Sequence, residues 1–129
     1  MSDKKMALLA DDELQVGELT KRLLERLGYE VRWVPDGKQG VTVARESEPY
    51  IVITDAFMPV MNGYDFAKAL RDGIYSGPIG LYSGKLQDIQ AMHPDMGQYV
   101  DELLEKPFVP SSFREFVGRL ESRRTQGKE

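Results

Sequence analysis

Four short stretches of this sequence carry side chains suited to one chemistry. They are the acid pair Asp11-Asp12, the lone acid Asp55, the hydroxyl of Ser83 before Gly84, and the ammonium of Lys106 before Pro107. Each follows a run that reads as a strand, and the run before Asp55, Tyr50-Ile51-Val52-Ile53, is apolar enough to read as a buried one. If those strands share one sheet, three carboxylates, a hydroxyl and an ammonium meet at its edge. Two carboxylates ~4 Å apart repel by about 4 kcal/mol at an effective dielectric near 20. Three together tend to hold a proton unless a cation is present. Lys106 brings one charge and a hard divalent cation would bring two. Mg²⁺ suits one or two carboxylates, a backbone carbonyl, waters and a phosphoryl oxygen. With no cysteine and one histidine, His93, outside this set, zinc or a softer metal has little support. A carboxylate beside Mg²⁺ can attack phosphorus and become an acyl phosphate. Phosphoryl transfer then needs mainly positioning and charge neutralisation. In that inventory Asp55 attacks, the metal sits on Asp12 and Asp55, and Lys106 and the Ser83 hydroxyl take the other phosphoryl oxygens.

The elements that must position these groups follow from the hydrophobic pattern. Met6–Ala10 reads as a first strand. Val16, Leu19, Leu23 and Leu27 fall at helical spacing, with Gly28 at the place of a C-cap glycine. Residues 30–34 form a second strand and Pro35-Asp36-Gly37 a turn. Val41, Val43 and Ala44 mark a second helix that ends before Pro49. Residues 50–54 form a third strand, 64–71 a third helix and 79–82 a fourth strand. A fourth helix around Leu86, Ile89 and Gln90 is broken by His93-Pro94-Asp95. Residues 102–105 form a short fifth strand. Pro110 opens a last helix with Phe113, Phe116, Val117 and Leu120 on one face. Five alternations of strand and helix predict an α/β fold: a flavodoxin-like, doubly wound, five-stranded parallel sheet in the order 2-1-3-4-5, with helices on both faces. Ligands of such sheets bind at the carboxyl ends of the strands, where all the groups above fall.

Composition sets the outer limits. The 129 residues make one domain, expected over 1–122, with 123–129 a polar tail or severed linker. The net charge of −4 disfavours direct nucleic-acid binding. No apolar run approaches the ~18–20 residues that span a bilayer. The short apolar stretch at the start runs straight into acids, unlike a secretory signal. These features, with the lack of cysteine, suit a cytoplasmic protein without membrane contact.

In order and spacing, Asp11-Asp12, the run from Asp55 through Met58-Pro59 to Asn62-Gly63, Ser83-Gly84 and Lys106-Pro107-Phe108 resemble the receiver domain of bacterial two-component response regulators. The resemblance covers roughly residues 5–122. It implies that Asp55 accepts a phosphoryl group from a histidine of a kinase or phosphotransfer protein. It implies that Asp12 ligates Mg²⁺ directly, Asp11 through water, and Phe57 by its carbonyl. The amides of Ala56 and Gly84 would help bind the phosphoryl oxygens, Ser83 would reorient to bond one, and Lys106 would pair with the group. The Lys106–Pro107 peptide is expected to be cis. Beyond catalysing its own phosphorylation and dephosphorylation, such a protein is not an enzyme. Its downstream partner would be a protein bound by the face of helix four, strand five and helix five, and a phosphorylation-dependent homodimer is a further family property. Phe57 and Lys85 occupy positions that tune phosphoryl lifetime in the family. One departure concerns signalling. Leu103 stands three residues before Lys106, where the family usually has an aromatic that swings inward, so switching here would rest on packing.

Other readings exist for each feature. Asp11 or Asp12 could cap the first helix, His93 could be a loop residue beside Pro94, Met58 and Met61 could be packing residues, and Arg123, Arg124 and Lys128 could be a solvated terminus. At the level of function, Leu103 and the unusual run Tyr99–Leu103 also suit a receiver-shaped binding module regulated without phosphate. A phosphatase or nucleotide-binding enzyme on the same sheet is a third class. Against it, Phe57 rather than a second Asp stands two residues past Asp55, and no GxGxxG or P-loop pattern follows a strand.

Overall fold

The computed structural model describes residues 4–126. Five parallel strands, β1 (Met6–Ala10), β2 (Glu30–Val34), β3 (Ile51–Asp55), β4 (Ile79–Ser83) and β5 (Glu102–Glu105), lie in the order β2-β1-β3-β4-β5. The helices between and after them are α1 (Leu14–Arg26), α2 (Gly37–Ser47), α3 (Gly63–Arg71), α4 (Leu86–Met92) and α5 (Pro110–Gln126), with a 3₁₀ turn at Met96–Gln98. This is the flavodoxin-like arrangement expected from the alternating pattern.

The period of two along each strand divides the core. Leu8, Val52, Ile79 and Leu81 point to one side, where they meet Val43 and Ala44 of α2, Phe66, Ala67 and Leu70 of α3, and Ile89 of α4. Leu9, Ile51, Ile53 and Tyr82 point to the other, where Leu24 of α1 and Phe113, Phe116 and Leu120 of α5 cover them. Both faces of the central strands are therefore dry, and only the strand ends are open to polar chemistry.

Helix boundaries follow local caps. Gly28 stands just past α1 at φ +97°, and its N–H donates to the carbonyl of Glu25, the role expected of a C-terminal glycine. The expected turn at Pro35-Asp36-Gly37 is a bend at Pro35-Asp36 that leads directly into α2 at Gly37, where the Asp36 carboxylate accepts from the Gln39 N–H and caps the helix. Asn62 caps α3 in the same way through Asp65 N–H. The fourth helix is short, as the Pro94 break implies. His93 ends it, stacked on Tyr64 of α3 with ring centroids 3.7 Å apart, while the Tyr64 hydroxyl donates to Asp95. α5 runs to Gln126, four residues into the stretch expected as a tail. Arg123 pairs with Glu102 of β5, and Arg124 lies over the Tyr50 ring and donates to its carbonyl. Lys128 lies outside the described residues. No described helix is long and apolar enough to cross a membrane.

Candidate phosphoryl and metal site

The parallel register brings the four stretches together. Asp55 is the last residue of β3 and pairs with Tyr82, and Ser83 is the last residue of β4 and pairs with Glu105. Asp11 and Asp12 leave β1, and Lys106 follows β5. Asp11, Asp12 and Asp55 each offer a carboxylate oxygen, and these atoms lie within 4.8 Å of one another. Asp11 and Asp55 are buried and Asp12 is exposed, so the cluster opens to solvent on the Asp12 side. Three carboxylate oxygens at this separation form an oxygen-only set that fits a hard cation such as Mg²⁺.

Lys106 reaches into the cluster from the far edge. Its Nζ lies 3.4 Å from Asp55 Oδ2 and 3.2 Å from Glu13 Oε1. The Lys106–Pro107 peptide is cis, as the resemblance implied. Burial works against the Lys106 charge, but Asp55, Glu13 and Asp11 outweigh it and hold its pKa above the ordinary lysine value. Burial pushes the Asp55 carboxyl up to about 6. Lys106 pulls it down, Asp11 pushes it further up, and the Ala56 N–H pulls it down. Asp55 is thus a carboxylate whose negative charge is poorly compensated by the protein alone.

The remaining expected residues line the same opening. The Ala56 N–H donates to Asp55 Oδ1 at 2.8 Å. The Ser83 hydroxyl oxygen accepts from the Lys85 N–H at 3.0 Å, which leaves its proton available. Asp12, Glu13, Asp55, Phe57, Ser83, Gly84 and Lys106 are among the residues that line a cleft of about 620 Å³. Its apolar wall includes Val16, Leu19 and Phe108. Gly84 leaves its side open, since a Cβ there would meet nothing closer than the Lys106 carbonyl at 3.9 Å. Asp11 and Asp12 do not cap α1 in the ordinary way: the α1 cap residue is Glu13, and its N–H is held by Asp11 Oδ1 at 2.9 Å. Leu103, in register with Leu81, packs partly buried against the α2–α4 side of the core.

Three contributors escaped the reading of the sequence. Glu13 shares Lys106, and the acidic run Asp11-Asp12-Glu13 was its only signal. The Trp33 indole N–H donates to the Asp11 carbonyl at 2.9 Å. The Tyr82 hydroxyl donates to Asp11 Oδ2 at 2.5 Å.

Residues 7–117 match the family model of the response regulator receiver domain, and the chain belongs to that family and so to two-component signalling. The chain is 29% identical over 122 residues to the DNA-binding response regulator MtrA of Mycobacterium tuberculosis, covering 93% of this chain and 50% of that protein. It spans about half the length of the curated relatives it matches. The fold is also that of the signal receiver domain of an HD domain-containing protein from Pseudomonas fluorescens Pf-5. That likeness has a TM-score of 0.87 at 19% identity and covers 99% of this chain and 94% of that one. A second likeness is to the receiver domain of the sensor histidine kinase PA1611 from Pseudomonas aeruginosa PAO1, solved with a magnesium ion in its active site cleft. Its TM-score is 0.80 at 24% identity, with 92% and 98% of the two chains covered.

Proposed function

We propose that this chain is a phosphorylation-dependent switch that takes a phosphoryl group onto Asp55. One observation carries the proposal: a buried carboxylate stands at the tip of a core strand, 3.4 Å from Lys106 and clustered with Asp11 and Asp12. The donor is a phosphohistidine of a kinase or phosphotransfer protein. A carboxylate oxygen of Asp55 forms the new O–P bond as the P–N bond to imidazole breaks, and the released imidazole takes up a proton. Beyond the Asp55 nucleophile, the protein contributes position and charge. Lys106 turns from Asp55 and Glu13 to the incoming phosphoryl oxygens. Ser83 gives its free hydroxyl proton to another, and the Ala56 and Gly84 amides lie beside the same space. Asp12, Asp55 and the Phe57 carbonyl would hold Mg²⁺ directly and Asp11 through water, and the ion supplies two positive charges against the crowded anions. A magnesium ion in the cleft of the PA1611 receiver supports this assignment.

The domain extends to the end of α5 at Gln126; it acts in the cytoplasm beside its kinase, and its output passes to a protein partner or a second copy through the face of α4, β5 and α5. The net charge of −4 supports a protein partner for these residues, whereas the longer MtrA is named as DNA-binding. The test is incubation with Mg²⁺ and acetyl phosphate. Intact mass should rise by one phosphoryl group in wild type and not in Asp55→Asn, and no gain with any donor would overturn the proposal. Leu103 favours a second reading, a binding module indifferent to phosphate. That reading requires equal partner affinity with and without beryllofluoride.

A further inference from the structure

One residue in contact with both Asp11 and Lys106 has no assigned role. Tyr82 is fully buried on the α1–α5 side of the sheet, directly before Ser83. Its hydroxyl donates to Asp11 Oδ2 at 2.5 Å and lies 3.2 Å from the Thr20 hydroxyl of α1. The face of its ring lies under Lys106, with Nζ 4.8 Å from the centroid. The ring in turn stacks on Phe108 at 6.0 Å, and Phe108 on Phe113 of α5 at 5.3 Å. A fully buried tyrosine stacked on Phe108 and hydrogen-bonded at its hydroxyl has little rotational freedom, so that hydroxyl is a fixed donor.

We propose that Tyr82 is a positioning residue of this site, its hydroxyl orienting Asp11 and its ring seating the Lys106 ammonium. The inference rests on the reading of Asp11, Asp55 and Lys106 as a metal and phosphoryl site. Asp11 has two oxygens, and both are engaged: Oδ1 by the Glu13 N–H and Oδ2 by Tyr82. Those two donors fix the carboxylate in one rotamer beside Asp12 and Asp55. They also disperse some of the negative charge that three clustered carboxylates accumulate. Partners that orient a metal-binding group in this way commonly change metal affinity by about 10–100-fold when removed. A group expected to act on the metal through water should show the lower part of that range or less. The ring gives Lys106 a third attractive surface besides Asp55 and Glu13. A cation over an aromatic face is stabilised even where water is excluded, so Lys106 has a seat while its anionic partners change.

The test compares Tyr82→Phe with wild type and with Tyr29→Phe. Tyr29 is another buried tyrosine on the same side of the sheet, and its hydroxyl bonds Glu121. Mg²⁺ is titrated while the emission of Trp33, the single tryptophan, is followed. Its indole N–H on the Asp11 carbonyl makes it a local reporter. Tyr82→Phe should weaken Mg²⁺ binding about 3–10-fold and lower the saturating rate of phosphorylation by acetyl phosphate less than that. Tyr29→Phe should leave Mg²⁺ affinity unchanged. In NMR spectra the ε-methylene protons of Lys106, identified by their loss in Lys106→Met, should be shifted upfield by the ring in both wild type and Tyr82→Phe. An unchanged Mg²⁺ affinity in Tyr82→Phe, an equal loss in Tyr29→Phe, or Lys106 protons at unshifted positions would overturn the inference. Absence of Mg²⁺ binding or phosphorylation in wild type would instead overturn the reading of the site.

Discussion

Gly63 packs against the backbone carbonyl of Asp55 so closely that a Cβ there would overlap the oxygen, with Asp55 C at 3.0 Å and Ala56 Cα at 3.1 Å. Its N–H donates to the Ala56 carbonyl at 2.9 Å. The loop from Asp55 to Gly63 is thus closed on itself, and the start of α3 is pinned to the end of β3. The obstacles are backbone atoms, which cannot rotate aside. Gly63→Ala should destabilise the fold by about 1–3 kcal/mol, as overpacking of this kind does. It should also slow phosphorylation, because the loop that carries Asp55 must shift. Urea midpoints and the acetyl phosphate rate check both, and a neutral substitution would show that the loop is loosely held.

Stability should depend on pH through Asp55. Its proton leaves at about 6 in the folded chain against 3.8 ordinarily. Between those values the folded state binds more protons than the unfolded state. Stability therefore falls as pH rises from about 4 to about 6, and the penalty is complete above that window. The full penalty is on the order of 2–3 kcal/mol. Asn imitates the protonated acid, so Asp55→Asn should be more stable than wild type at pH 8 without Mg²⁺, and the difference should vanish near pH 4. Urea unfolding at the two pH values measures it, and a difference independent of pH would rule out burial of the charge as its cause.

The placement of these groups was legible before the structure because a parallel sheet collects strand ends. Asp11-Asp12, Asp55, Ser83 and Lys106 each follow a short run read as a strand from its place in the alternating pattern, so one topology put them on one edge. What was hidden depended on side-chain direction. Ile79–Ser83 is buried at every position, so no polar alternation showed which way Tyr82 faces. The start of α2 was hidden because Asp36 reads equally as a turn residue or a cap. The last turn of α5 looked like a solvated tail because the partner of Arg123 is Glu102, far away in sequence. The union of Lys106 with Glu13 was hidden for the same reason.

Phe57 should prolong the phosphorylated state. It lines the same cleft as Asp55 and is 45% exposed, so its bulk could hinder an attacking water. Phe57→Ala should dephosphorylate several-fold faster in single-turnover decay of the purified phosphoprotein. Slower decay in the variant would exclude shielding as the role of the ring.

The short α4 is held at its end by α3. The Tyr64 hydroxyl bonds both oxygens of Asp95, at 2.9 and 2.8 Å, and the ring meets His93 face to face and Tyr99 edge-on. Tyr64→Phe keeps the rings together and removes only the bond to Asp95. Backbone amides over 93–99 should then exchange hydrogen faster while those of α3 keep their protection. Equal exchange in both proteins would mean that Asp95 does not anchor this segment.

The central claim is that Asp55 itself receives the phosphoryl group. An aspartyl phosphate is reduced by borohydride to homoserine, which marks the acceptor by a change in peptide mass. After treatment with Mg²⁺ and acetyl phosphate, then borohydride, the peptide that contains Asp55 should carry homoserine at that position in wild type. Homoserine at another acid, such as Asp12, or at none, would contradict the account.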